Sequence, residues 1–231
     1  MSDTRTNAGV DNVSATRKMH SWSVRGERFI TLLSAGNLAT TQAVVSLLDE
    51  RSVAPEDRDP SILRAPTMFQ VARLVGQTLR EVIAEHAPGN GQQADATFGG
   101  TMILGGQIAG MEPRLFLVYP EGNFIEAKDE APFLQIGETK YGRPILVRAF
   151  DPSMSFEDAV KLLYVSFDST IKANLSVGPP IDLQTFERDE LDAPDPVRID
   201  ASDPGFRAVS DGWGDALRHA FDQLPDVTLP G

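Results

Sequence analysis

The sequence predicts an α+β protein in which stacked antiparallel sheets are covered by layers of helices. Three observations point there. Strand-like runs and helical segments come in groups (strand, two helices, strands, two helices, strand) rather than in regular alternation, which argues against a doubly wound sheet. Between 97 and 127 the β-prone stretches are separated by Gly-Met-Glu-Pro and Pro-Glu-Gly turns, a mark of antiparallel pairing. The helical segments each carry one apolar face, as a layer lying on a sheet requires.

The elements follow in order. Residues 1–17 are polar, rich in Thr, Asn, Ser and Gly, without an apolar period, and read as loop or exposed edge. Residues 29–33, Phe-Ile-Thr-Leu-Leu, form a compact β-prone run closed by Ser34-Ala35-Gly36-Asn37. Immediately afterwards Ala43, Val44, Leu47 and Leu48 fall at helical spacing, predicting a helix over 38–50. The Pro- and charge-rich stretch 52–66 is a loop. Thr67-x-x-Gln70 then resembles a capping box, and its helix runs to about 85 with Phe69, Ala72, Val75, Leu79, Val82 and Ile83 on one face. Pro88-Gly89-Asn90-Gly91 breaks the chain.

Strands over 101–104, 114–119 and 123–126 make a three-strand meander. A second helical pair follows. Its long member opens at Ser155-x-x-Asp158 and carries Phe156, Val160, Leu163, Phe167 and Ile171 on one face. One more strand is expected over 181–186. A final helix spans about 206–224, weakened by Gly212 and Gly214. The expected division is one domain over 1–188 and an acidic C-terminal extension, containing that helix, over 189–231.

The 231 residues carry a net charge of −12, from 33 acids against 21 bases. From Glu187 onward there are 11 acids and 4 bases. Such a surface repels phosphate backbones, and no basic stripe with interleaved aromatics is present, so a nucleic-acid partner is not expected. No stretch approaches the roughly 18 consecutive apolar residues of a membrane span, and the longest run, 115–119, is strand-sized. The N-terminus lacks the pattern of a signal peptide, so a cytoplasmic location is expected. The absence of cysteine rules out thiol chemistry and disulfides within these residues.

Most enzyme signatures are missing. His20, His86 and His219 lie in different elements, which suits neither a metal cluster nor a Ser-His-Asp triad. No Gly-x-Ser-x-Gly elbow occurs. Gly137-x-x-x-x-Gly142-Arg143 lacks the Lys-Ser/Thr pair of a phosphate loop, and Gly99-Gly100 and Gly105-Gly106 suit tight packing or bulges. Asp3 and Glu138 can form a carboxylate pair, but spacing does not select them over the other acids. No metal or other cofactor is expected.

One constellation stands apart. Ser2-Asp3-Thr4-Arg5 leads into Thr6-Asn7-Ala8-Gly9, Lys18 follows, and Ser34-Ala35-Gly36-Asn37 ends a buried strand. Together these resemble the active-site half of a proteasome β-type subunit. Gly36-Asn37-Leu38-Ala39-Thr40-Thr41-Gln42, Ile103-Leu104-Gly105-Gly106-Gln107, Tyr119-Pro120 with Gly122-Asn123-Phe124-Ile125, Gln135-Ile136-Gly137-Glu138-Thr139-Lys140-Tyr141-Gly142 and Ser166-Phe167-Asp168-Ser169-Thr170 extend the likeness to about residue 170. They resemble the bacterial branch called the ancestral beta subunit, Anbu.

The resemblance implies an N-terminal nucleophile hydrolase with a four-layer αββα sandwich. In that family an N-terminal Thr, Ser or Cys attacks an amide carbonyl, with its own α-amino group as base. Lys18 matches the lysine that keeps this amine neutral, and Asp3 matches the aspartate that holds the lysine, within the segment that ends in Arg5. The N–H of Gly36 matches the oxyanion donor, and such a donor typically contributes about 3–4 kcal/mol. Two positions depart from the pattern. Gly137-Glu138-Thr139 stands where Gly-Ser-Gly is usual, and Asn174 where an aspartate is usual. Gly178 matches a glycine near the site and reads as a packing position.

The family places its nucleophile at the start of a hairpin preceding the Asp3 segment, which needs roughly 12–16 residues at usual strand lengths. Two residues precede Asp3 here. Ser2 adjoins Asp3 directly, in the wrong register for a nucleophile arriving from another strand. The first hairpin is therefore expected to be missing, with the reading frame starting upstream or the chain inactive. The expected function is a self-assembling, proteasome-like peptidase that forms rings or open helical stacks and takes peptides or unfolded chains. The alternative is an inert structural or assembly subunit of the same fold, and a more remote one an unrelated acidic binding module.

Overall fold

Strand β5 (Arg28–Gly36) organises the larger sheet. Ile30 and Leu32 point to one side and are fully buried, the period-2 pattern expected of a strand with one face on a core. In this computed structural model, which describes residues 1–7, 13–53, 60–86, 98–192 and 195–229, β5 pairs antiparallel with β4 (Met19–Val24) and β6 (Gly100–Ile108). β7 (Arg114–Val118) and β8 (Phe124–Glu126) extend the sheet in the order β4-β5-β6-β7-β8.

A smaller antiparallel sheet has the order β1-β9-β10, from Ser2–Asp3, Ile181–Leu183 and Val197–Ile199. β2 (Arg5–Asn7) and β3 (Val13–Ala15) form a separate two-stranded ribbon. The described helices are α1 (Leu38–Val53), α2 (Met68–His86), α3 (Arg143–Ala149), α4 (Phe156–Ala173) and α5 (Pro204–Asp222). The chain is thus mixed α and β, with grouped antiparallel strands as the sequence predicts.

Two apolar cores result. In the larger, Ile30, Leu32, Met102, Leu104 and Phe116 of the five-stranded sheet meet Val44 and Leu48 of α1 and Val71, Val75 and Leu79 of α2. Each such buried side chain contributes about 1.5–3 kcal/mol. In the smaller, Ile181 and Ile199 meet Phe206 of α5, with Tyr164, Phe167 and Ile171 of α4 packed against them. Side-chain caps start four of the helices, two of them, Thr67 and Ser155, at the positions the sequence signals. Asn37 accepts from the Thr40 N–H at 3.1 Å, Thr67 from the Gln70 N–H at 3.2 Å, Ser155 from the Asp158 N–H at 3.1 Å and Asp203 from the Phe206 N–H at 2.8 Å.

The structure departs from the sequence reading at four places. Residues 1–17 hold three short strands: β1 pairs with the distant β9, and β2 and β3 pair with each other, so strand pairing rather than an apolar period satisfies the backbone of a polar segment. β4 was not anticipated: it is mostly half-exposed or exposed, so its residues carry little apolar signal. Phe69 and Phe156, placed on apolar faces, are about half exposed, at 46% and 47%. The buried stripe of α2 keeps the predicted Ala72, Val75, Leu79, Val82 and Ile83, and Met68 and Val71 are buried in place of Phe69. The strand expected over 181–186 covers only Ile181–Leu183, and beyond 189 the chain adds β10 to the same sheet. The Pro88-Gly89-Asn90-Gly91 breaker lies outside the described residues.

Candidate functional site

Two main-chain connections bring the two ends of the site together. The Ser34 N–H donates to the Lys18 carbonyl at 2.9 Å, so Lys18 is tied alongside the last turn of β5 that leads to Gly36. Thr4 N–H donates to the Pro180 carbonyl at 3.0 Å, which holds the Asp3–Arg5 segment against the chain entering β9. Asp3 therefore arrives from the smaller sheet and Lys18 from the rim of the larger one.

The Lys18 Nζ donates to Asp3 Oδ1 at 2.8 Å. Their side chains are 20% and 12% exposed, so the pair is partly shielded from water and the charge-assisted bond is stronger than a surface ion pair. The other carboxylate oxygen, Oδ2, accepts from the Arg5 N–H at 3.2 Å and the Gly178 N–H at 3.4 Å. Asp3 is thereby fixed from three directions, and Lys18 is aimed by Asp3.

Gly36 and Gly178 are glycines for different reasons. Gly36 has φ +116°, and a Cβ there would meet the Gly99 carbonyl oxygen at 2.5 Å. Asn37 N–H donates to that same carbonyl at 2.9 Å, just before α1 begins. At Gly178 a Cβ would lie 2.3 Å from Arg5 Cζ, because the Arg5 side chain crosses that spot to donate to the Leu175 carbonyl at 3.0 Å.

Glu138 stands opposite. Its Oε1 accepts from the Lys140 N–H at 2.8 Å and its Oε2 from the Asn174 side-chain amide at 2.9 Å. These donors, the Lys140 N–H foremost, hold the Glu138 carboxyl below the ordinary glutamate range. It is thus an anion at neutral pH. Asn174 is itself oriented by accepting from the Ser176 N–H at 2.9 Å.

A cavity of about 520 Å³ opens among these groups, and Asp3, Arg5, Lys18, Gly36 and Glu138 all line it. Asn174 and Gly178 stand behind the wall, bonded to Glu138 and Asp3 respectively. Ser2 also lines the cavity, but its hydroxyl donates to the Asp3 carbonyl at 3.0 Å. All seven residues singled out in the sequence thus converge on one place. Two features of the wall enter the sequence reading only within motifs of the resemblance, with no role of their own. Ser166 and Thr170 of α4 are buried polar residues facing the cavity, at 3% and 5% exposure. Gln135 donates weakly to the Glu138 carbonyl at 3.4 Å, while its own buried Oε1 has no partner among the described residues. Helical periodicity and spacing do not distinguish these from ordinary polar positions.

Chemically, the arrangement offers a fixed cation, Lys18, beside a tight strand-to-helix turn, Gly36, in a concave site large enough for a peptide side chain. Among the described residues no group of three or more His, Cys, Asp or Glu could hold a metal ion. No helix of the described residues is long and apolar enough to cross a membrane.

Comparison with protein-family models found no match, and neither did comparison with curated proteins. Solved structures do match. The ancestral beta-subunit Anbu of Yersinia bercovieri superposes with a TM-score of 0.89 at 42% identity, over 99% of this chain and 94% of its own. Anbu of Hyphomicrobium sp. strain MC1 gives 0.88 at 50% identity, over 98% and 93%. A helical assembly of the Anbu complex from Pseudomonas aeruginosa gives 0.89 at 41% identity, over 98% and 92%.

Proposed function

The chain belongs to the Anbu family of proteasome-type β subunits, and from that premise we propose that it is a self-assembling subunit whose cavity hydrolyses amide bonds in peptides or unfolded chains. The observation that carries this reading is the Asp3–Lys18 bond of 2.8 Å on the wall of the same cavity that Gly36 lines.

In the proposed chemistry the nucleophile is an N-terminal Thr, Ser or Cys, as the resemblance implies, with its α-amino group as base. That amine must be neutral to accept a proton, and its ordinary pKa of roughly 7.7–8.0 leaves it largely protonated at neutral pH. The Lys18 ammonium disfavours a second positive charge nearby and shifts the amine toward its neutral form. Asp3 keeps Lys18 charged and in position, and the N–H bonds to its Oδ2 keep Asp3 in position. When the nucleophile attacks, negative charge gathers on the carbonyl oxygen, and the Gly36 N–H is the proposed donor to it. The proposed architecture is the four-layer αββα sandwich. α1 and α2 cover the five-stranded sheet on one side and α4 with α5 covers the smaller sheet on the other, an arrangement favoured by the two separate cores.

The helical assembly of the Pseudomonas aeruginosa relative, at 41% identity over nearly the whole chain, supports self-assembly into open stacks or rings. Such an assembly restricts access and suits extended substrates.

A second reading, an inert assembly subunit, draws on Glu138 and Asn174. They replace the usual Gly-Ser-Gly serine and aspartate of the resemblance, and they bond to each other. Quenched-fluorescence peptides separate the two readings. Cleavage by the assembled native protein, reduced at least tenfold in kcat/KM by Lys18→Ala, is the expected result. Equal rates in parent and Lys18→Ala overturn the mechanism. A particle of full size that cleaves neither peptides nor unfolded proteins selects the assembly subunit.

A further inference from the structure

The ionic groups on the cavity wall are unevenly matched. Lys18 is committed to Asp3 at 2.8 Å, and Arg5 donates to the Leu175 carbonyl with its guanidinium laid over Gly178. Glu138 has no such counterpart. Its partners are the backbone N–H of Lys140 and the neutral amide of Asn174, and among the described residues no ammonium or guanidinium pairs with it. The Lys140 side chain adds an attraction smaller than those hydrogen bonds. A carboxylate accepts at about four positions, of which these donors take two. Glu138 therefore presents a fixed negative charge to the cavity with acceptor capacity left over.

A second acceptor stands beside it. Gln135 also lines the cavity, and its Nε2 donates to the Glu138 carbonyl at 3.4 Å, which settles which end of the amide is oxygen. The Oε1 at the other end is buried and has no donor among the described residues, a costly state for a polar atom. The terminal torsion of a glutamine is soft, so a small turn of the amide brings this oxygen to an N–H group arriving at Glu138. Both groups accept, so what completes them is a donor carrying positive charge. Leu134, Leu163 and Phe167 line the same cavity and offer an apolar path for a methylene stem that ends in such a donor.

We propose that the cavity selects peptides that place a lysine or arginine side chain in it, the stem along Leu134, Leu163 and Phe167 and the cationic head at Glu138 and Gln135. This rests on the peptidase reading above and adds to it a substrate preference. An acidic side chain is repelled by Glu138, and an aliphatic one fills the apolar path but leaves both acceptors without a donor. The free N-terminus of a peptide carries the same ammonium without a stem, and the two sources are separated by acetylation.

The test uses fluorogenic peptides of one sequence that differ only in lysine or norleucine before the scissile bond, each with an acetylated and with a free N-terminus. With the assembled native protein, kcat/KM is expected to be at least about threefold higher for lysine in both forms, the scale of a partly exposed ion pair. In Glu138→Gln the lysine-to-norleucine ratio is expected to fall to about one, and in Gln135→Leu to fall part of the way. The ratio cancels any effect of either substitution on the chemical step itself. A parent ratio of one or less overturns the proposal, as does a ratio unchanged in Glu138→Gln, or a preference that follows the free N-terminus instead of the side chain. Should Glu138→Gln fail to fold, the ratios in the parent and Gln135→Leu decide. Should the parent cleave none of the four, the peptidase reading fails, and calorimetric titration with the acetylated lysine and norleucine peptides decides the preference by itself. Tighter binding of the lysine peptide, lost in Glu138→Gln, upholds the selection of a basic side chain, and equal affinities remove it.

Discussion

The carboxylate of Glu138 and the amide of Asn174, 36 residues apart in the chain, meet at 2.9 Å beside the cavity that Glu138 lines. By resemblance the first position is usually a serine within Gly-Ser-Gly and the second an aspartate. The two departures meet in one contact: the charged member of the pair stands at 138, and the neutral amide at 174 donates to it.

Asn174→Asp tests this contact. It sets two carboxylates against each other, which disfavours both being charged. In the parent, Glu138 titrates below its ordinary value, so its contribution is present above the ordinary glutamate range and lost as pH falls. In the variant the sign reverses, since protonating one carboxylate relieves the repulsion. Melting temperatures are expected to show a deficit in the variant at pH 7.5 that narrows toward pH 4. A deficit of the same size at both pH values contradicts the placement of the charge.

The Asp3–Lys18 pair predicts an asymmetry between single and double variants. Removing either partner leaves the other charge in a site only 12–20% exposed, at a cost of about 1–3 kcal/mol. Removing both leaves no orphan charge. Denaturant unfolding of Asp3→Ala, Lys18→Ala and the double variant, at one protein concentration, is expected to give a double-variant loss smaller than the two single losses combined. Simple additivity argues that the two side chains act independently.

Arg114 and Glu126 give a pH signature away from the cavity. Their side chains form a two-pronged bond at 2.5 Å for each prong, and Arg114 also lies 4.8 Å from the centre of the Phe116 ring. The hydrogen bond from Arg114 holds the Glu126 carboxyl below its ordinary range. The pair's stabilisation is therefore present above an unfolded value of about 4.3 and fades as pH falls through the lowered folded value. Both side chains are about one-third exposed, at 32% and 29%, which limits the effect to about 1 kcal/mol. Glu126→Gln is expected to flatten the parent's loss of stability between pH 6 and pH 3. A variant with the parent's pH profile contradicts the assignment.

What the sequence makes legible follows from how local each cause is. The starts of α2 and α4 could be read because Thr67 and Ser155 cap their own first turns, three residues from the N–H groups they accept. The apolar run of β5 is likewise self-announcing. β1, β4 and β10 were hidden because their strand character lies in pairing partners as far away as residue 182, not in their own composition. In the site, Asp3, Lys18 and Gly36 could be nominated together only through a family resemblance. No spacing rule connects residues 3, 18 and 138, and the Glu138–Asn174 contact appears only when the chain is folded.

Gly36 and Gly178 offer the sharpest contrast between two alanine substitutions. At Gly178 the obstacle is the guanidinium of Arg5, the far end of a flexible side chain, at 2.3 Å. Gly178→Ala should displace Arg5, break its bond to the Leu175 carbonyl and loosen the N–H that Asp3 accepts, at about 1–3 kcal/mol. Arg5→Ala removes the obstacle, so the Arg5→Ala, Gly178→Ala double variant is expected to be more stable than additivity allows. At Gly36 the obstacle is backbone, the Gly99 carbonyl oxygen at 2.5 Å, and φ is +116°, where a side chain is strained even in open space. No single side-chain truncation relieves that clash. Gly36→Ala is expected to cost more than Gly178→Ala and to shift the β5-to-α1 turn. Hydrogen exchange at Asn37, whose N–H bonds to Gly99, should rise in Gly36→Ala and stay at the parent's level in Gly178→Ala. A Gly36→Ala protein with parental exchange at Asn37 shows that the turn tolerates a side chain and removes the geometric reason for glycine there.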